Sequence, residues 1–482
     1  MTVSFNQIPN SNRVPGPLVE IDGSKALGIQ APEPHSVLFV GLRLTAGTAL
    51  QGEFKSILGE LDADPFFGSK SILAAATRAF KRVNRTAKVT AVAMDEAGGG
   101  VAAAGTFPLV GSASADGQIT VRIGDQRITI SVSNGTTPTA MGVALDAAID
   151  ATDRCSFTAT NATGTVTVTH VHKGESGNHV TIAVEALPAG VTCTPVQPAN
   201  GATNPSMATL IALLPDVRYD TIVTCMTDAT SVLALENEMA RRWGPLVKQP
   251  GMAVLGIRGS HGTLTGYGSA RNSPYSCIMG SGLSPTPPWV WAAQAAAQNA
   301  IRCDTQPNRP SNGLVLPDCE APALADGFDI PERNLLLFDG ISTFKSDASG
   351  RVMIERLITT YQTNTSGLAD AAYLSIEVLR NLAAIYMEAL SIAGKYDTHL
   401  LVPDGTNVDQ GVPIVTPKMF KGEMNAWYDS LIKRGRAKDA KGFAAALVSE
   451  INLLDGERLD TNVFPSLVRG LVTNALKISF QL

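Results

Sequence analysis

The sequence is short of most features that would mark an enzyme or a nucleic-acid binder. Its six cysteines, Cys155, Cys193, Cys225, Cys277, Cys303 and Cys319, stand singly with no C-x-x-C among them. That excludes zinc-ribbon and dithiol redox chemistry and leaves reduced, mostly buried thiols as the expectation. No Lys/Arg block occurs, and 38 basic against 43 acidic residues leave a formal net charge of -5. The electrostatic footprint for gripping nucleic acid is therefore missing. No apolar run approaches the ~18 residues that cross a bilayer, and the opening residues lack the basic start and apolar stretch of a secretion signal. The reading is a soluble chain made in the cytoplasm, with no nucleic-acid partner and no membrane insertion.

Catalytic signatures are missing too. There is no G-x-S-x-G, H-E-x-x-H or G-x-x-x-x-G-K-[ST]. Gly68-Ser69-Lys70-Ser71 resembles a phosphate loop only superficially, because a serine separates the glycine from the lysine. His170 and His172 lie two apart on one strand face with His179 nearby, without a carboxylate to back them, and read as half-exposed histidines at a strand end. Asp397, Asp404 and Asp409 lack calcium-loop spacing and read as turn formers. No catalytic, cofactor-binding or metal residue is assigned, and no cofactor is expected.

What is present is a chain of 482 residues, 44% hydrophobic and 17% charged, enough for about three domains. Residues 1–26 read as an arm: Pro9, Pro15, Gly16 and Pro17 break any helix, and Val3 and Phe5 alternate with polar neighbours as in a short strand. Extended, the rest of this arm spans up to ~60 Å. An α/β pattern occupies 27–94, with Val37-Leu38-Phe39-Val40 as a buried strand. A helix over 71–83 puts Ile72, Ala75, Ala76, Ala79, Phe80 and Val83 on one face, and a strand covers 88–94. Composition then shifts to Thr, Val, Gly and Asn over 95–204, which reads as a β-rich domain inserted into the α/β domain. It holds a hairpin around Gly124-Asp125-Gln126, a helix capped by Thr137-Pro138, and strands at 157–160, 165–171 and 179–184. The α/β pattern resumes over 205–330, with helices near 207–214 and 231–243, strands at 220–225 and 252–257, and an Ala-rich helix from Trp289. Trp289 and Trp291 are expected to pack against a neighbouring element.

A C-terminal α+β domain is expected over 331–474. Its elements are a β-ribbon from 335–343 and 350–360, a helix over 369–393 turning Leu374, Val378, Leu382, Ile385 and Leu390 to a core, and helices near 418–433 and 465–473. In 475–482, Leu476, Ile478, Phe480 and Leu482 alternate without error with Lys477, Ser479 and Gln481, the period of a strand that must find a partner for its backbone. The expected fold class is thus α/β multidomain: an α/β core domain carrying a β-rich insertion, an α+β C-terminal domain, and extended N- and C-terminal strand arms. The basic cluster Lys433, Arg434, Arg436 and Lys438 has two readings, cations favoured at a helix C-terminus or a contact with an acidic partner.

Several segments resemble Mu-like phage tail sheath proteins when taken in order. They are Ser4-Phe5-Asn6-Gln7-Ile8-Pro9, Val14-Pro15-Gly16-Pro17, Asp339-Gly340-Ile341-Ser342-Thr343-Phe344, the stretch from Gly350 to Asn364, Pro403-Asp404-Gly405-Thr406, Ile414-Val415-Thr416-Pro417-Lys418 and the alternating C-terminal strand. The resemblance implies a structural protein rather than an enzyme. It implies a helical homo-oligomer around a tail tube protein, bounded by baseplate and tail terminator proteins, that contracts to drive the tube through the host envelope. It also implies that the terminal arms join strands in neighbouring copies. The linking positions are then Val3, Phe5, Leu476, Ile478, Phe480 and Leu482, the arm hinge is Pro15, Gly16 and Pro17, and the tube-facing candidates are Lys433, Arg434, Arg436 and Lys438. The insertion is placed outward and the C-terminal domain toward the tube. Two other readings stand beside this one: a baseplate or surface protein binding through the β-rich domain, and an α/β enzyme. A further alternative is that the two termini pair within one molecule.

Overall fold

The computed structural model describes residues 34–409 and 411–481. Val3, Phe5, Pro15, Gly16, Pro17 and Leu482 lie outside them.

The first elements are β1 (Ser36–Leu42), β2 (Phe54–Ile57), α1 (Ala63–Phe67), α2 (Ile72–Val83) and β3 (Lys88–Met94). Strand β1 is apolar on both faces because it is central, with β3 parallel on one side. Ser71 caps α2 by accepting from the Ala74 N–H. Ile72, Ala76, Ala79 and Phe80 are buried, and Ala75 and Val83 are half-buried against the same core.

Between β3 and the next strand of that sheet the chain forms β4 (Ala102–Val110), β5 (Gly117–Ile123), β6 (Gln126–Val132), α3 (Pro138–Ala151), β7 (Phe157–Ala162), β8 (Thr165–Lys173), β9 (Ile182–Ala186), β10 (Thr192–Cys193) and β11 (Val196–Ala199). They make two sheets of their own, β10-β4-β8-β7 with β11 also on β4, and β6-β5-β9. The β5–β6 hairpin closes through Gly124-Asp125, where Gly124 takes the positive φ of 58° that such a turn requires. The strand expected at 179–184 begins at Ile182, because Glu175–His179 is a 3-10 turn.

The main sheet then continues through α4 (Met207–Ile211), β12 (Thr221–Thr224), α5 (Ala229–Trp243), β13 (Met252–Ile257), α6 (His261–Ser269), β14 (Ser276–Gly280), α7 (Pro288–Thr305), α8 (Ile330–Phe338), β15 (Ile341–Ser346) and β16 (Val352–Arg356). Its order is β16-β15-β14-β13-β12-β1-β3-β2, parallel inside and antiparallel at both edges. β13 and β14 are buried at every position. Helix α7 lies tight on β13: a Cβ on Gly256 would stand 2.0 Å from the Pro288 carbonyl oxygen, so only glycine fits. Trp291 is fully buried, donates to Ser284 Oγ at 3.1 Å and packs on Phe344 at 4.7 Å between ring centroids.

Expectations for the region after 330 are corrected at several elements. Residues 335–338 are helical, not strand, because Asp329 and Glu332 form a reciprocal capping box that starts α8. β15 and β16, read as part of a C-terminal domain from 331, extend the large sheet, since β15 hydrogen-bonds to β14 through Ile341 and Ser342. The expected helix over 465–473 is absent: Ser466 and Leu467 pair with 437–438, and a Cβ on Gly470 would lie 2.2 Å from Pro310.

The remaining elements are α9 (Ile376–Gly394), β17 (Leu400–Leu401), β18 (Ile414–Val415), α10 (Pro417–Lys433), β19 (Ala437–Lys438), α11 (Ala440–Ala446), β20 (Val448–Ile451), β21 (Leu459–Asn462) and β22 (Ser466–Leu467). A second hydrophobic core of Ile385, Ile392, Phe420, Met424, Trp427, Tyr428, Leu431, Phe443 and Leu447 holds them, with Tyr428 and Phe443 stacked at 3.7 Å. Helix α9 starts at Ile376 rather than near 369, and of its five expected core residues only Ile385 is buried; Leu374, Val378, Leu382 and Leu390 are half-buried. The reason is that α9 serves two cores. Its first turns put Ile376 and Leu379 into the large core, while Ile385 and Ile392 enter the second. Between them, buried Arg380 donates to the Asp220 carbonyl, to Thr221 Oγ1 at 2.8 Å and to Asn299 Oδ1 at 3.1 Å.

Candidate assembly surfaces

Past β22 the chain has no helix or strand among the described residues, and its last backbone bond there runs from Val468 N–H to the Arg436 carbonyl. Leu476, Ile478 and Phe480 are 83%, 80% and 80% exposed. The expected strand therefore has its apolar alternation but no ladder within the described residues. Three large apolar side chains stand in water at alternate residues, with no ladder partner among the described residues.

A second surface went unread in the sequence. Among the described residues, strands β20 and β21 pair only with each other and each keeps one open edge, and Leu453 and Leu454 in their connection are fully exposed. Ser449 and Thr461 hydroxyls meet across the pair at 3.0 Å, and Asn452 donates to Asp460 at 2.7 Å, fixing the register. The signal was available: Asp455-Gly456, a strong turn dipeptide, lies between Ile451 and Leu459.

The basic cluster at the end of α10 divides. Arg434 forms a bidentate pair with Glu388 at 2.9 and 2.7 Å, and Arg436, only 5% exposed, reaches the same carboxylate and Asn381. Burial works against the Glu388 charge, yet the two guanidiniums hold its carboxyl below the usual range. Arg436 is thus corrected from a partner-facing cation to an internal fastening between α9 and β19. Lys433 and Lys438 remain exposed and make no ion pair among the described residues.

The histidines are corrected as well. His170 and His172 are 2% and 0% exposed rather than half-exposed, because they lie against Trp289 of α7 and the first turn of α2. Burial pulls the His170 imidazole down to about 3 and lowers that of His172 despite Glu96 beside it. Among the described residues no three side chains gather with the potential to hold a metal ion. The phosphate-loop lookalike instead faces α3 and the turn after it: Ser69 donates to Asp153 at 2.7 Å and Lys70 to the Asp150 carbonyl at 2.9 Å. Asp404 accepts from the Lys418 N–H at 3.0 Å, tying its turn to the start of α10.

The described residues thus offer an exposed apolar alternation near the C-terminus and a two-stranded hairpin with open edges, and comparison with known proteins says what kind of chain carries them. Residues 200–360 match the family described as phage tail sheath protein central domain. Over 473 residues the chain is 32% identical to the Mu-like prophage FluMu tail sheath protein of Haemophilus influenzae, covering 95% of this chain and 97% of that one. The chain belongs to the Mu-like phage tail sheath proteins. It is a structural protein of a phage or prophage tail sheath and not an enzyme, which removes the α/β enzyme reading. The fold agrees with that of the sheath tail protein from Desulfitobacterium hafniense, at a TM-score of 0.50 and 12% identity over 94% of this chain and all of that one. In this sheath protein the matched central domain starts at residue 200, just past β11, and takes in β12 to β16.

Proposed function

We propose that this sheath subunit polymerises helically around a tail tube, is stitched to neighbouring copies by its terminal strands, and contracts to drive the tube through the host envelope. The observation that carries the reading is the exposed alternation of Leu476, Ile478 and Phe480 on a segment with no strand partner among the described residues. The open edges of β20 and β21 supply the complementary half, a short ladder able to accept an extended segment from another copy. Burial contributes ~1.5–3 kcal/mol per large apolar side chain, against ~1–2 kcal/mol per residue for ordering the backbone. Each link is therefore individually modest and gains strength from being repeated along the polymer. Val3 and Phe5 on the N-terminal arm, hinged at Pro15-Gly16-Pro17, are the second linking strand. The insertion over 95–204 lies outward. The region after 331 faces the tube, with the exposed Lys433 and Lys438 as candidate contacts. Baseplate and terminator proteins bound the cylinder at its ends, and contraction exchanges one set of subunit contacts for a lower-energy set.

Removal of 475–482 tests this directly. The truncated chain should fold as a monomer with unchanged circular dichroism and form no tubes by electron microscopy, whereas unchanged helical assembly would refute strand linkage.

A further inference from the structure

The parallel sheet has a topological switch point between β1 and β12, since the chain leaves β1 toward β3 on one side and resumes at β12 on the other. In open α/β sheets the crevice beyond the strand ends at such a point, with a helix N-terminus beside it, is where ligands bind. Here that place is filled from within. A Cβ on Gly41 would meet Cys225 Sγ at 3.1 Å and Leu73 Cβ at 3.3 Å. At the first turn of α2, the Ile72 N–H donates to His172 Nε2 at 3.2 Å. The imidazole comes from β8, so an inserted strand caps a helix of the main sheet.

A backbone N–H only donates, so Nε2 must be an unprotonated acceptor and the ring proton sits on Nδ1. Nδ1 lies 3.4 Å from Glu96 Oε1, longer than a formed hydrogen bond. The other charged or titratable groups nearby are accounted for. His170, on the same strand, engages the His172 main chain through Nδ1 and has no partner on Nε2 among the described residues. Lys173 gives its backbone N–H to Glu96. On α2 and the turn before it, Lys70 and Arg78 are turned to Asp150 and Asp64. α7 presents the uncharged Trp289, which lies beside His170.

We propose that His172 makes the docking of the β-rich insertion onto the α/β sheet proton-controlled: the neutral imidazole fastens α2 to β8, and the imidazolium loosens that joint. A second proton on the ring would aim an Nε2–H donor at the Ile72 N–H donor. It would also place a positive charge at the positive end of a helix dipole. One facing carboxylate at 3.4 Å offsets this only in part, and burial lowers the affinity of His172 for a proton. The loosened form takes up a proton near the ordinary histidine value and the docked form does not, so opening rises as pH falls below ~6.5.

Hydrogen exchange on the full-length soluble subunit, corrected for intrinsic rates, tests this at residues 72–76 and 165–173. Opening there should increase between pH 7 and 5 by about tenfold more in the wild type than in His172→Gln, whose amide oxygen keeps the acceptor and takes no proton. Equal pH dependence in the two proteins overturns the proposal. The imidazole nitrogen resonances of the unmodified protein give a second readout that needs no substitution. The Nδ1–H neutral tautomer at pH 6 supports the proposal, and either an imidazolium or an Nε2–H tautomer there refutes it.

Discussion

The eight-stranded sheet and the region after α9 are built to different standards of completeness. In the first, β13 and β14 are buried at every residue, α7 fills one face, and the β16 edge is covered by a loop: Gly313 and Leu316 donate to the Ile354 and Val352 carbonyls, and Leu314 accepts from Ile354. In the second, strands are two to four residues long and join only in pairs. Leu453, Leu454, Leu476, Ile478 and Phe480 lie in water there. The two are joined by α9, largely through polar contacts: Arg380 to β12, and Gln306 and Asn308 to the Arg434, Gly435 and Val468 carbonyls. A region that satisfies its own backbone needs no neighbour. A region with open ladders and bare leucines leaves backbone groups and apolar surface to water.

That contrast can be broken in four ways. Trp291→Ala should have the largest effect, costing ~3–5 kcal/mol through cavity formation and the lost hydrogen bond to Ser284 Oγ, read as a lower urea midpoint with the slope unchanged. Arg380→Ala should cost about 3 kcal/mol by removing three buried hydrogen bonds from a charged donor. It should also separate the unfolding of the second core from that of the sheet, and a single coincident transition by Trp427 fluorescence and circular dichroism would show the joint lies elsewhere. Acidification comes next. Burial takes the His35 imidazole down to about 4, in spite of Asp220 nearby. The unfolded chain therefore binds a proton that the folded one does not between pH 6.5 and 4, and stability falls with pH. His35 alone removes about 2 kcal/mol between pH 7 and 5, and His35→Gln should flatten the profile by one proton. Phe480→Ser should be the smallest in stability, within about 0.5 kcal/mol for an exposed side chain, while reducing tube formation seen by sedimentation.

Legibility followed the range of the interactions. The strands at 36–42 and 252–257, the helices at 72–83 and 138–151, and the hairpin at 117–132 were readable because each carries its own periodicity, cap or turn residue. Residues 335–338 were misread because four apolar residues in a row suit either structure, and the deciding capping box sat just upstream at Asp329 and Glu332. The family was legible in ordered segments such as the one from Asp339 to Phe344. The hairpin at 448–462 was overlooked although its Asp455-Gly456 turn was in view.

The terminal alternation of Leu476, Ile478 and Phe480 belongs to the sequence alone, since period-two patterning needs no partner to be recognised. Whether a polar group is free or spent belongs to the tertiary structure. Arg436 was a surface cation until Glu388, 48 positions earlier, was folded against it. His172 was a strand-end histidine until α2, 100 positions earlier, presented the Ile72 amide to it. Charge and hydrogen-bonding capacity are written into residue type, but burial and partnership are decided by which distant segments the packing of the core brings together.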